Sequence, residues 1–322
     1  MKKMTGIIIL NYNSFECTLR CVQSILKNEK NDNYKIYIVD NASNDDSFCN
    51  LQKTYNCFDK VTLLESKKNG GYSYGNNIGI KQAIQDKMDY VVIANPDIYL
   101  ENEAISILTD ALDQNPEVGI AGPALDQPNG VGQFARTYYT FQKSIISKAP
   151  FRFFHFWPQK YMRDIEWEGK GDFIFEGTVA GCFFIVRTKD FQTIGLFDED
   201  FFLYNEEDVL AYKMKQINKK CMIVPKAMVF HNHSVTTKKR GMPFIYYYYR
   251  ISEYLLLCKY VRITILQKIV IYLMNIGWFY FYSLKEKEAK QYFQRLKRIY
   301  KYIYKGNYEK ANESLYERKN RE

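Results

Sequence analysis

The chain reads as an α/β fold with a mainly parallel central sheet flanked by helices and a helical extension after it. Apolar runs of strand length recur at 6–10 (GIIIL), 35–40 (KIYIVD), 61–65 (VTLLE) and 89–95 (DYVVIAN), and the segments between them carry apolar residues at helical spacing. Strands that alternate with helices need crossover connections, which place helices on the faces of a buried parallel sheet. Beyond residue 240 the composition turns aromatic and basic, with long helical segments and no clear strand.

The apolar stretch after MKKMT is about five residues before Asn11, too short for the central segment of a signal peptide, and it predicts a first buried strand. Residues 14–27 place Phe15, Leu19, Val22 and Leu26 at intervals of three and four, and residues 101–114 do the same with Ile105, Leu108 and Leu112; both predict covering helices. From about Asp126 to Glu176 the pattern breaks into a stretch with Pro128, Asn129, Gly130, Pro150 and Pro158, dense in aromatic residues. Long irregular segments inside compact domains serve as binding loops or lids. Regular structure resumes with a strand at 181–187 (GCFFIVR), a helix from near Asn205 in which Leu210, Met214 and Ile217 share a face, and a strand at 221–225 (CMIVP).

A length of 322 residues with 47% hydrophobic composition suits one large α/β domain, residues 1–240, plus an appendage, residues 241–322. Residues 1–240 hold 29 Lys and Arg against 29 Asp and Glu, whereas 241–322 hold 16 against 7. A neutral body with a basic, tyrosine-rich end argues against nucleic acid and for a surface that meets anionic lipid or phosphate. Residues 290–305 set Tyr292, Leu296, Ile299 and Ile303 opposite Arg295, Lys297, Arg298, Lys301 and Lys305, as in a helix lying on an anionic membrane; a helix packed on the protein with a solvated basic face has the same pattern. The uncharged run 269–284 is short for a membrane span and is closed by Lys268 and Lys285, so surface attachment is expected. Seven scattered cysteines without paired CxxC spacing indicate a reducing cytoplasm and no structural zinc.

In open parallel sheets, ligands bind beyond the carboxyl ends of the strands. Asn11, Asp40 and Asn95–Asp97 all fall at such ends. A carboxylate at Asp40, opening DNASND (40–45), can accept a hydrogen bond from the imide N–H of uracil or thymine, although the same residues also make a good helix cap. NGGYSYGNNIGI (69–80) offers Gly70, Gly71, Gly75 and Gly79 for close backbone approach and Asn69, Asn76 and Asn77 for neutral contacts. Asp97 is a candidate oxygen ligand for a divalent metal. His231 or His233, in VFHNHSV, is placed to complete the metal shell or hold a phosphate, while His155 has no evident partner. In FLYNEEDVLAY (202–212), Asn205 is a candidate cap that places Glu206, Glu207 and Asp208 in a helix's first turn. The dipole favours acids there, and a carboxylate so placed is also a candidate base for an acceptor hydroxyl.

ILNYN, DNASND, NGGYSYGNNIGI, NPDIYL, GCFFIVR, FDEDFFLYNEED and FHNHS stand in the order in which the family-2 glycosyltransferases of the GT-A fold carry their motifs. Over residues 5 to 235 the chain resembles that family, especially its bacterial rhamnosyltransferase-like branch, which builds surface polysaccharides. The resemblance implies that Asn11 and Asp40 contact base and ribose, that Asn69 and Gly71 line the nucleotide-sugar pocket, that Asn95 contacts sugar or ribose, and that Asp97 binds the metal, Mg2+ or Mn2+. It brings His231 to the metal or diphosphate, and it puts Gly181 and Cys182 on the acceptor side. The family's base belongs to a Glu-Asp pair; here the pair is Glu206-Glu207, so the base corresponds to Glu207, with Glu206 and Asp208 as alternatives. Val209 stands where many members carry a further acid.

The reaction so implied is inverting transfer of rhamnose, or of galactofuranose, glucose or another hexose, from a TDP- or UDP-linked donor to a lipid-linked saccharide. The implied location is the cytoplasm, peripheral at the inner face of the cell membrane, and a homodimer is a compatible assembly. A dinucleotide dehydrogenase would want G-x-G-x-x-G after the first strand, and a phosphate-loop hydrolase GxxxxGK[ST]; neither is present. The glycine-rich basic opening of a nucleotide-sugar pyrophosphorylase is missing as well. The rival from another class is an inactive membrane-surface binding protein on the same scaffold, suggested by the Glu-Glu pair and by the single Asp in Asn95-Pro96-Asp97.

Overall fold

The computed structural model describes residues 3–126, 135–148, 171–232 and 242–316. Its first strand, β1 (Thr5–Asn11), is built on Ile7, Ile8 and Ile9, all fully buried, as a strand covered on both faces requires. α1 (Phe15–Asn28) leads to β2 (Tyr34–Asp40), α2 (Ser47–Tyr55) to β3 (Val61–Glu65), and α3 (Gly71–Gln85) to β4 (Tyr90–Ala94). These strands run parallel in the order β3-β2-β1-β4, with Asn11 opposite Asp40 and Ile9 opposite Ala94. The polar residues that end the apolar runs therefore stand nearly level along one edge of the sheet.

The other half of the sheet is mixed. β5 (Ile98–Leu100), α4 (Ala104–Gln114), β6 (Val118–Asp126), α5 (Phe141–Ile146), β7 (Phe173–Phe175), β8 (Phe183–Arg187), α6 (Thr188–Ile194), α7 (Glu206–Gln216) and β9 (Lys220–His231) follow in chain order. β8 runs antiparallel to both β4 and β6, β6 runs parallel to β9, and β5 and β7 pair antiparallel with β9. β6 was hidden in the sequence because Gly119, Gly122 and Pro123 dilute its apolar run. The structure accommodates them with register shifts at Val118/Ile120 and Pro123/Ala124, the bulges that let such residues stay in a strand.

Two apolar layers sandwich the sheet. α1, α2 and α4 cover one face with Val22, Ile25, Leu51, Leu108 and Leu112, while α3, α6 and α7 cover the other with Ile80, Ala83, Phe191, Leu210 and Met214. The expected helices at 14–27 and 101–114 are α1 and α4, the second starting at Ala104.

A third core belongs to the helical extension. α8 (Met242–Leu256) runs into a π-helical turn, Leu257–Val261, and is followed by α9 (Ile265–Lys285), α10 (Lys287–Tyr304) and α11 (Tyr308–Tyr316). Thr264 begins α9 with a capping box, accepting from the Gln267 backbone while Gln267 accepts from that of Thr264. Tyr254, Phe279, Leu296, Ile299, Tyr300 and Ile303 pack with Phe201 and Val209, two residues from the part of the chain before 240. Of the two readings of 290–305, membrane-lying or packed on the protein, the structure shows the packed one: Tyr292, Leu296, Ile299 and Ile303 are buried inside the protein. The sequence pattern supplied the stripe but not its partners, which are α8, α9 and α11. No helix among the described residues is long and apolar enough to cross a membrane.

Candidate active site

β5 pairs with β9 so that Ile98 stands opposite His231, and the Asn232 N–H donates to the Asp97 carbonyl at 3.0 Å. That register brings His231 Nε2 to 3.5 Å from Asp97 Oδ1, both side chains being almost wholly buried. An oxygen and an imidazole nitrogen at this separation approach the spacing of adjacent ligands on an octahedral cation, about 3 Å for bonds of about 2.1 Å. Among the described residues no group of three His, Cys, Asp or Glu could hold a metal ion; Asp97 and His231 offer two donors, one oxygen and one nitrogen. His233 and His155 lie outside the described residues, as does most of the aromatic stretch between Asp126 and Glu176.

The β4–β8 pairing continues one step beyond the strands, where the Asn95 N–H donates to the Cys182 carbonyl at 2.8 Å. Gly181 and Cys182 are thereby fixed beside Asn95, and the Tyr72 hydroxyl donates to the Gly181 carbonyl at 2.8 Å. Burial pushes the Cys182 thiol well up, and the Asp97 charge adds to it, so this sulfur is a neutral wall and no nucleophile.

Asn95, Gly181, Cys182, Glu206, Glu207 and His231 all line one cleft of about 420 Å³. α7 enters it through two consecutive non-glycine residues in the left-handed region, Tyr204 (φ 75°) and Asn205 (φ 64°), a conformation that costs energy and that surrounding structure must hold. The expected Asn205 cap does not form. Asn205 occupies the cap position, but its side chain makes no cap hydrogen bond, because the left-handed backbone departs from the extended geometry a capping side chain uses.

The three acids of α7 have different surroundings. Glu207 Oε1 accepts from Arg136 Nη2 at 2.8 Å, and its Oε2 faces Gly181, where an added Cβ would stand 3.2 Å away. Glu206 is buried, its Oε1 has no hydrogen-bond partner among the described residues, and burial with the Glu207 charge pushes its carboxyl well above the usual carboxylate range. Asp208 lies deeper, 3.9 Å from Arg136 and outside the cleft lining. Burial pushes it up to about 7, Arg136 opposing and Glu207 adding.

The nucleotide-side candidates form a neighbouring hydrogen-bonded group. Asn11 Nδ2 donates to Asp40 Oδ1 at 2.7 Å, and Asp40 also accepts from the Ser43 backbone and hydroxyl. Asn69 Oδ1 accepts from Asn41 Nδ2 and from the Gly71 N–H. Gly71 has φ 84°, and an added Cβ would be 2.2 Å from the Phe202 carbonyl, so this position needs glycine twice over. Asn11, Asp40, Asn69 and Gly71 do not line the cleft that holds Glu207; Tyr72, next to Gly71, does.

Arg136 escaped the sequence reading, as did Tyr72 and Tyr249 in the cleft wall. Arg136 lies in the stretch where periodicity fails, and its place depends on a bridge to Thr178, 42 residues away. Gly177 permits that bridge, since a Cβ there would overlap the Arg136 carbonyl at 1.9 Å.

The mixed sheet thus carries an acid-lined cleft bordered by residues that follow its strands. The model of glycosyl transferase family 2 matches residues 6–192, more than half of the chain, and the chain belongs to that family: it is a glycosyltransferase. It is 26% identical over 213 residues to the N-acetylglucosaminyl-diphospho-decaprenol L-rhamnosyltransferase of Mycobacterium tuberculosis, covering 63% of this chain and 67% of that protein. To the low-salt glycan biosynthesis hexosyltransferase Agl10 of Haloferax volcanii it is 24% identical over 238 residues, 71% of this chain and 67% of the relative. Among solved structures, GalNAc-T7 with UDP, GalNAc and Mn2+ superposes with a TM-score of 0.59 at 16% identity, over 79% of this chain and 47% of that one. The chain thus spans about half of that structure's length, and the likeness is one of fold, GT-A.

Proposed function

We propose that the protein is an inverting hexosyltransferase of surface polysaccharide synthesis, moving rhamnose or a related sugar from a TDP- or UDP-linked donor to a lipid-linked saccharide at the inner face of the cell membrane. The observation that carries this reading is that Glu207, in the first turn of α7, and His231, at the end of β9, line the same cleft as Asn95 and Gly181. The decaprenol-linked substrate in the mycobacterial relative's name supports the acceptor class, and the rhamnosyl and hexosyl relatives support the sugar class.

Glu207 takes the proton from the acceptor hydroxyl as that oxygen attacks the sugar carbon, the part a positioned carboxylate plays in general base catalysis. Its longer side chain, relative to the family's Asp, is held by Arg136 at 2.8 Å. Glu206, its carboxyl pushed up by burial, is suited to hydrogen-bond a sugar hydroxyl through its Oε1. Asp97 and His231 would hold a Mg2+ or Mn2+ ion, which when bound neutralises the diphosphate that departs. Asn11, Asp40, Asn69 and Gly71 receive the nucleoside, and Asn95 the ribose or sugar. Gly181 and Cys182 border the acceptor.

The test is transfer from a panel of UDP- and TDP-sugars to a lipid-pyrophosphate saccharide, with Mn2+ or Mg2+. Glu207→Gln is expected to lower kcat by about a hundredfold to ten-thousandfold, the range for a lost general base, while calorimetry still shows donor binding. Asp97→Asn is expected to weaken donor binding in the presence of metal. Near-normal turnover in Glu207→Gln would remove it from the base role, and Glu206 and Asp208 would be next to test.

A further inference from the structure

We infer that the outer face of α9 is a membrane-docking surface that lies in the plane of an anionic bilayer. It deepens the membrane-side part of the reading above, yet none of its residues lines the catalytic cleft. One side of α9 is packed into the extension's core through Ile271, Asn275 and Phe279. Its opposite side is apolar and open: Leu266, Ile269, Leu273, Tyr280, Phe281 and Leu284 are between 42% and 72% exposed.

These positions recur at helical spacing, so they form one stripe from Leu266 to Leu284, about 27 Å long at about 1.5 Å per residue. Contiguous apolar surface of this kind is unusual on a soluble chain and marks an interaction site. α9 has no acidic residue, and its two lysines, Lys268 and Lys285, stand near its ends.

Charge selects the occupant. Tyr280 on the stripe contacts Phe293 of α10, ring centroids 5.8 Å apart, and Lys297 Nζ lies 4.5 Å from the Phe293 centroid. Lys290, Lys297 and Lys301 recur along α10 at intervals of seven and four, which places them on one face of the helix beside Phe293. An apolar stripe rimmed by lysines suits acyl chains with anionic headgroups beside them. Docked this way the helix lies along the surface, consistent with the absence of a spanning helix among the described residues. The lipid-facing helix is thus α9, with α10 as its basic rim.

The experiment is co-sedimentation of the full chain with vesicles of phosphatidylcholine alone or with phosphatidylglycerol, read without any sugar donor, so that a wrong catalytic reading leaves it unaffected. The chain is expected to partition onto the phosphatidylglycerol vesicles. Leu273→Glu with Phe281→Glu should lower that partition by about tenfold or more, at unchanged melting temperature and unchanged donor binding in the cleft. Lys297→Glu with Lys301→Glu should abolish the preference for anionic over neutral vesicles. If the first pair loses its melting transition, Leu284→Gln alone is expected to lower partition in the same direction. The inference is overturned if the wild-type chain stays in solution with anionic vesicles, or if folded stripe variants bind as tightly as wild type. It is equally overturned if light scattering shows a dimer that the stripe variants dissociate while vesicle binding stays nil, which would make the face a contact between two copies.

Discussion

Glu207 owes its place to its neighbours more than to its own helix. Arg136 holds one carboxylate oxygen and the bare Cα of Gly181 admits the other. Adding a methyl group at Gly181 would meet Oε2 at 3.2 Å, tighter than ordinary van der Waals contact, and the flexible carboxylate end would yield. Gly181→Ala is therefore expected to fold normally and to lose about tenfold or more in kcat, since small misplacements at a reacting centre are costly. A variant as active as wild type would show that Glu207 has slack that the structure does not suggest. At this scale the sequence revealed residues that stand beside recognisable punctuation: Asn11, Asp40, Asn95 and Asp97 follow apolar runs, and Glu206 to Asp208 open a helix. Arg136 has no such neighbour, because what places it is a bridge to distant Thr178.

The segment bearing Arg136 is in turn tied down by α8. Glu253, fully buried, accepts from the Tyr139 and Ser144 hydroxyls and from Lys148, and pairs with Arg250 at 3.0 Å. Burial alone would raise its pKa, but Lys148 and Arg250 hold it down to about 2, while Lys148 is itself lowered to about 8, chiefly by burial. Removing one member of such a cluster leaves the others charged and buried, at a cost of about 3–5 kcal/mol. Glu253→Ala should thus lower the denaturation midpoint strongly, and its residual folded fraction should show weaker transfer. A melting temperature within a degree or so of wild type would disprove the anchoring role. None of this could be read along the chain: α10 shows a clean amphipathic stripe, yet the sequence does not say whether lipid or protein covers it, and β6 is masked by its own glycines and proline.

Acid groups buried around the cleft leave a signature in the stability of the whole molecule. Asp208 has a folded pKa of about 7 against 3.8 unfolded, and Glu206 is shifted in the same direction. The folded state keeps these protons where the unfolded chain has released them, so their contribution is fully present below about pH 4 and is lost as pH rises through about 7. Asp208→Asn is expected to reduce the loss of melting temperature between pH 5 and pH 8; identical slopes for variant and wild type would rule out a raised Asp208. The broad architecture was legible at this scale, a parallel half-sheet with helices on both faces and an all-helical end, because hydrophobic period carries that information.

Phe201 and Val209 belong to the same core as Tyr254, Leu296 and Tyr300, which changes what counts as a portable piece of this enzyme. A chimera that took its last eighty or so residues from another member of the family would graft foreign helices against the turn at Tyr204 and Asn205. No exchangeable seam lies nearby, because the acidic turn leans on helices that arrive after residue 240 while β9, between them in sequence, is hydrogen-bonded into the sheet through β5, β6 and β7. Recombination among relatives would therefore have to replace body and extension together, or keep the two as they are.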